Sequence, residues 1–227
     1  MIVVPYWYLL ILYYAINSRR ISDEKKLALF KKIITNINRE GNVEVRSYGM
    51  ENIPKDQSFM YFPNHEGTYD VLALFESSPY FFSVVMKKEL ENKPFLKRIF
   101  QIMEAHSIDR KDIRQSMKVI LKVSEEVSSG KNFLIFPEGT RSRGGKQIDF
   151  KGGSFKSATK AKCPIVPVAI IDSYKVFDCH CADPVVVQVH YLEPLYYEQY
   201  KMLKTTEIAE IVGNRIKKTV ENIKKSS

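Results

Sequence analysis

Residues 60–74 read MYFPNHEGTYDVLAL. The apolar, aromatic run before Pro63 has the character of a buried strand, and the stretch from Asp70 onward has helical spacing. A strand passing directly into a helix is the unit from which α/β sheets are built. Between the two elements the chain places Asn64, His65, Gly67 and Asp70. Asn64 and Gly67 suit a tight turn at the strand end, and the turn carries an imidazole and a carboxylate.

Outward from this unit the alternation repeats. Strands are expected at 43–48, 58–62, 80–85, 106–109, 132–136, 164–171 and 184–192. A helix is expected over 112–130. Asp112 and Gln115 form a capping box there, Ile113, Met117, Ile120, Leu121 and Val127 make its apolar face, and Gly130 ends it. A second amphipathic helix covers 205–223. The pattern predicts an α/β fold with a mostly parallel central sheet of about seven strands flanked by helices. Ligands of such sheets gather beyond the carboxyl ends of the strands. His65, Asp70, Lys87, Lys88, Arg110, Glu138 and Arg141 each follow an expected strand, and so should converge on one rim.

The N-terminus has a different character. Residues 1–16, MIVVPYWYLLILYYAI, carry no charged side chain, and Arg19 and Arg20 follow. A secretory signal would need a basic start and a small-residue cleavage site, and neither is present. As a helix the segment is about 24 Å long, short of the ~30 Å hydrocarbon core of a bilayer. Tyr6, Trp7, Tyr8, Tyr13 and Tyr14 suit the membrane interface. Residues 22–38 then place Leu27, Phe30, Ile34 and Ile37 on one helical stripe, with Lys25, Lys26, Lys31 and Lys32 beside it. Residues 1–40 are therefore expected to form membrane-associating helices ahead of a domain spanning 41–227. The competing expectations are a true membrane span by residues 1–16 and a pair of helices packed on that domain with solvated lysines.

Of the 227 residues, 35 are Lys or Arg and 26 Asp or Glu, giving a formal charge of +9 that favours an anionic partner. The acidic residues among the motif segments weigh against nucleic acid. Cys163, Cys179 and Cys181 make no disulfide framework, which implies a reducing compartment. Cys179, His180 and Cys181 lack the distant second ligand pair of a zinc site, so no metal is expected.

A histidine with a nearby carboxylate is a general-base pair. Residues 136–143, FPEGTRSR, add Glu138, Gly139, Thr140 and Arg141 at the end of another apolar strand. Arginine offers a planar fork for phosphate oxygens, and glycine lets backbone approach a ligand.

Together these segments resemble the 1-acylglycerol-3-phosphate (lysophosphatidate) acyltransferase family. Its first block, NH-x4-D, is matched by Asn64, His65 and Asp70, and its E-G-T-R block by Glu138, Gly139, Thr140 and Arg141. Weaker blocks match Ile108, Asp109 and Arg110, then IVPVAI around Pro167, and Lys87, Lys88 and Pro94 fall between the first block and Ile108. The likeness covers roughly residues 42–195. Gly67 and Tyr69 depart from the family's usual serine and bulky apolar residue, as do Ala105 and His106 from its glycine or aromatic. The resemblance implies transfer of a fatty acyl group from an acyl carrier protein or coenzyme A thioester to the 2-hydroxyl of lysophosphatidate. It implies His65 as base held by Asp70. Arg141, with Lys87 or Lys88, would grip phosphate, and Glu138 would position the glycerol. Gly139, Thr140 and Arg110 would complete the substrate site. No cofactor is implied, and the place of work would be the cytoplasmic face of the cell membrane. The rival readings are acyl transfer to glycerol-3-phosphate or another lysophospholipid, or non-catalytic binding of anionic lipid.

Overall fold

The computed structural model describes residues 3–179 and 183–226. Nine helices are assigned within them: α1 Val3–Ile16, α2 Asp23–Gly41, α3 Asp70–Ser77, α4 Pro94–Ile102, α5 Ile113–Ser128, α6 Lys156–Ala161, α7 Tyr174–Phe177, α8 Tyr197–Tyr200 and α9 Thr205–Ser226. The strands are β1 Val43–Tyr48, β2 Met60–Pro63, β3 Ser83–Lys87, β4 His106–Ile108, β5 Phe133–Leu134, β6 Ile165–Ile171 and β7 Val185–Tyr191. They form one seven-stranded sheet in the order β1-β7-β6-β2-β5-β3-β4. Every neighbouring pair is parallel except β6 with β7. Strands β2 to β6 therefore run the same way and end on one rim.

The expected strands are all present, with shifted ends. β3 starts three residues later than its apolar run. Pro79 breaks the approach, Tyr80 N–H donates to Ser78 Oγ at 3.2 Å, and Phe82 turns inward to stack on Phe75 with ring centroids 4.1 Å apart. The aromatic start of the run thus fills core volume instead of pairing. β2 and β6 are buried on both faces, so their side chains alternate between two cores. Tyr61, Val166, Val168 and Ile170 join α1, α2 and α3 on one face. Met60, Phe62, Ile165 and Ala169 meet Phe155, Ile208, Val212 and Ile216 on the other.

The apolar face of α5 differs from expectation. Val123, Ser124 and Val127 are buried, while Ile113 and Leu121 are exposed. Half of the capping box forms: Asp112 accepts the Gln115 N–H at 3.0 Å. The Gln115 amide goes instead to β4, accepting the Asp109 N–H at 2.8 Å and donating to the Ser107 carbonyl at 2.9 Å.

The N-terminal helices share the core of the domain. Leu29, Phe30 and Ile34 of α2 and Ile11 and Ala15 of α1 are buried within it. Phe30 stacks on Phe75 at 4.6 Å. Lys26 is 3% exposed and bonds Glu104 at 2.6 Å and Asp23 at 3.1 Å, so it is not a surface cation. Ile37 is exposed, off the buried stripe predicted for it. Arg19, Arg20, Lys25 and Lys32 stay exposed. No helix among the described residues is long and apolar enough to cross a membrane.

Candidate active site

The rim is built from the residues that follow each parallel strand. After β2, Asn64 is buried and exchanges two hydrogen bonds with Ile170 of β6, at 2.8 and 2.7 Å. That stitch, more than turn formation, is what Asn64 does, and it sets the chain direction for His65. α3 opens at Asp70, which returns the carboxylate to the imidazole: His65 Nδ1 lies 2.6 Å from Asp70 Oδ2. Asp70 is fully buried and its Oδ1 accepts the Gly67 N–H at 3.1 Å and the Ser173 hydroxyl. The His65 ring is one-fifth exposed and lies flat on Phe136, centroids 3.9 Å apart. With Nδ1 committed to Asp70, Nε2 is the ring nitrogen outside that contact.

After β5, the E-G-T-R turn meets the histidine turn by backbone. Ser142 N–H donates to the His65 carbonyl at 2.8 Å and Arg143 N–H to the Glu66 carbonyl at 2.9 Å. Glu138 is buried, and its two oxygens accept the N–H groups of His65 at 2.8 Å and Ile148 at 3.1 Å. Burial pushes the Glu138 carboxyl up to about 7, against those two bonds, with Asp70 adding to the rise. Its geometry is that of a brace: it ties the E-G-T-R turn to the histidine turn through the His65 N–H and to Ile148. Gly139 has φ +76°, a conformation side chains disfavour.

Arg110, exposed after β4, reaches across to donate to the Gly139 carbonyl. A Cβ on Gly139 would lie 3.1 Å from Arg110 Nη1 and 3.2 Å from Lys151 Nζ, so two cations flank this glycine. Arg141 Nη1 bonds the Thr68 hydroxyl and Asp178 Oδ1, the latter at 3.1 Å. Thr140 is exposed beside it. Lys87 and Lys88 are exposed at the end of β3, and Lys88 pairs with Asp109 at 3.2 Å. The rim thus brings His65, Asp70, Glu138, Gly139, Arg141 and Arg110 together, with the two lysines on its β3 side.

Lys151, Ser173 and Asp178 were not singled out in the sequence. Lys151 had a local signal, a cation before the Gly152–Gly153 pair; the other two lie over 100 residues from the turn they touch. His180 and Cys181 lie outside the described residues. Cys163 is buried, and burial pushes its thiol up to about 12, as suits a packed residue.

The acyltransferase family model matches residues 44–171, which spans both turns and β6. The chain belongs to the acyltransferase family. It is 30% identical over 181 residues to the 1-acyl-sn-glycerol-3-phosphate acyltransferase of Borreliella burgdorferi, covering 78% of this chain and 71% of that one. It is 30% identical over 191 residues to the protein of the same name from Saccharomyces cerevisiae. That match covers 80% of this chain and 61% of the yeast protein, so the chain spans about three-fifths of that relative. The crystal structure of the 1-acyl-sn-glycerophosphate acyltransferase PlsC from Thermotoga maritima superposes with a TM-score of 0.76. It covers 96% of this chain and 93% of that one at 24% identity, a likeness of fold.

Proposed function

We propose that this acyltransferase moves a fatty acyl group from a thioester of acyl carrier protein or coenzyme A to the 2-hydroxyl of 1-acylglycerol-3-phosphate, giving phosphatidate. The observation that carries the reading is the His65–Asp70 contact of 2.6 Å on the same rim as Arg141, Arg110 and Lys151. His65 Nε2 takes the proton of the 2-hydroxyl as its oxygen attacks the thioester carbonyl. Asp70 holds the ring and stabilises the imidazolium. When the C–S bond breaks, the thiolate leaves with that proton, and His65 returns to its neutral form. Arg141, Arg110 and Lys151, with Lys87 and Lys88 beyond, face the phosphate. A positioned base accounts for roughly 10²–10⁴-fold in rate, and alignment of two large substrates for much of the rest. The relatives named above support the acceptor; the +9 charge suits either anionic donor. In this reading the enzyme works on the cytoplasmic face of the membrane, where the lipid substrate lies, with the exposed side of α1 turned to the lipid.

The test is purified protein in detergent with radiolabelled lysophosphatidate, glycerol-3-phosphate and a lysophospholipid lacking a free phosphate monoester, each offered both thioesters. Transfer to lysophosphatidate is expected, and His65→Ala should lower it ~10²–10⁴-fold with the unfolding midpoint little changed. Preferred transfer to another acceptor would replace the substrate assignment. A His65→Ala variant keeping a tenth of the rate would overturn the mechanism.

A further inference from the structure

The segment after β6 is not part of either motif turn, yet it touches both. Asp172, at φ +67°, bends the chain sharply away from the sheet, and Lys175 Nζ holds its carboxylate at 3.0 Å. The bend delivers Ser173, which is fully buried, with its hydroxyl donating to Asp70 Oδ1. Five residues on, Asp178 accepts the Thr68 N–H at 2.9 Å on one oxygen and Arg141 Nη1 at 3.1 Å on the other. Between them Tyr174 is wedged into the site. A Cβ on Gly67 would lie 2.6 Å from Tyr174 Cα, and one on Gly144 would lie 2.5 Å from the Tyr174 ring. A glycine in the histidine turn and the glycine that follows the E-G-T-R segment are thus both required by the same residue.

We propose that residues 173–178 are a positioning bracket for acyl transfer, in which Ser173 fixes the carboxylate of Asp70 and Asp178 fixes the guanidinium of Arg141. The bracket rests on the function proposed above for that rim. A buried carboxylate with one backbone N–H and one imidazole can still rotate. The Ser173 hydroxyl closes its remaining freedom, so Oδ2 stays on His65 Nδ1 and Nε2 stays aimed at the acceptor. Asp178 and Thr68 both engage Nη1 of Arg141, so the Nε–Nη2 edge is the one turned to a phosphate. Because five residues join the two contacts, the segment also sets the spacing between base and phosphate grip. Ser173 therefore acts through Asp70 on turnover, and Asp178 acts through Arg141 on acceptor binding.

The experiment is a pair of double-mutant cycles on the full chain, with kcat and KM measured separately for lysophosphatidate and thioester. Ser173→Ala should lower kcat about tenfold, the order expected of one charge-assisted hydrogen bond, with both KM values within about twofold. Asp178→Ala should raise the KM for lysophosphatidate about five- to tenfold while the thioester KM and kcat hold within about twofold. Ser173→Ala should add less than about twofold in an Asp70→Asn background, and Asp178→Ala equally little in an Arg141→Lys background. Effects that multiply in the doubles, or that move kcat and both KM values together, would make the segment plain scaffold. Nitrogen-15 histidine NMR reads the bracket without substrate. The His65 ring, assigned by His65→Ala, should be the Nδ1–H tautomer, and Ser173→Ala should reduce that share. If that tautomer shift appears while the wild type transfers nothing to lysophosphatidate, the functional reading fails and the bracket stands; an unshifted tautomer sinks the bracket alone.

Discussion

At the residue scale, the carboxylates around Asp70 are as informative as its contact with His65. Glu66 is buried beside His65, its Oε2 has no hydrogen-bond partner among the described residues, and Lys224 stands 3.8 Å from Oε1. Burial pushes Glu66 up to about 7, with Lys224 opposing and Asp70 and Asp172 adding. Glu138 is raised to about 7 as well. Both groups bind a proton more tightly folded than unfolded. Their stabilisation is full below about 4.5 and declines as pH rises towards about 7. Glu66→Gln removes one of them. Its stability relative to wild type should climb between pH 5 and 8 by up to roughly 3 kcal/mol, at ~1.4 kcal/mol per pKa unit. Urea unfolding at four pH values reads this; a difference independent of pH would mean that Glu66 is not buried as a charge. The His65–Asp70 contact was legible in the sequence because H-x4-D is local and the short turn ahead of α3 closes it. The roles of Glu138 and Asn64 were not, since both spend their polar atoms on backbone groups of other elements. Ser173 and Asp178 left no trace, because a pairing over 100 residues apart has no spacing rule.

At the element scale, α2 shows where periodicity stops informing. Of the stripe Leu27–Phe30–Ile34–Ile37, Phe30 and Ile34 are buried and Ile37 is exposed, and the same apolar spacing serves a bilayer or a protein core. The structure seats it on the core, and one further contact links it to the site. The Tyr69 hydroxyl, adjacent to Asp70, donates to Asn38 Oδ1 of α2 at 2.6 Å. Phe30 is 4% exposed and stacks on Phe75 and Phe81 at 4.6 and 6.4 Å. Phe30→Ala should therefore cost ~3–5 kcal/mol of folding stability, as for other buried aromatics. Denaturant unfolding followed by circular dichroism measures it. An unchanged midpoint would mark α2 as a detachable arm. The strands were legible by type because short apolar runs between turn residues leave few alternatives. Their ends moved where a proline or an inward aromatic removed backbone from the ladder, as at Pro79 and Phe82 in front of β3. The face of α5 was misread at Ile113, which is 78% exposed at the rim end of that helix.

At the scale of the whole molecule, α1 is apolar on two sides. One side, with Ile11 and Ala15, is buried against the domain. The other carries Tyr6, Leu9, Tyr13 and Ile16 at helical spacing, exposed by 54%, 63%, 58% and 70%. Exposed Arg19, Arg20, Lys25 and Lys32 follow in the next turns. An uncovered apolar stripe beside cations is what an anionic bilayer surface would take up. Each large side chain moved out of water contributes up to ~1.5–3 kcal/mol, and each nearby cation ~1 kcal/mol before salt screening. Substituting Tyr6, Leu9, Tyr13 and Ile16 together with serine should cut co-sedimentation with anionic vesicles at least about tenfold, since even ~1.4 kcal/mol lost is that factor. The unfolding midpoint should move little, because most of this stripe's surface is exposed and none of the four side chains is buried in the core. Activity on lysophosphatidate held in vesicles should fall further than activity on a short-chain, water-soluble acceptor. Raising the salt should weaken what binding remains in the wild type, through the cations. A serine variant that still pellets with vesicles would move the membrane contact elsewhere on the molecule. One that unfolds well below wild type would mean the stripe is core and α1 has no surface to offer a lipid.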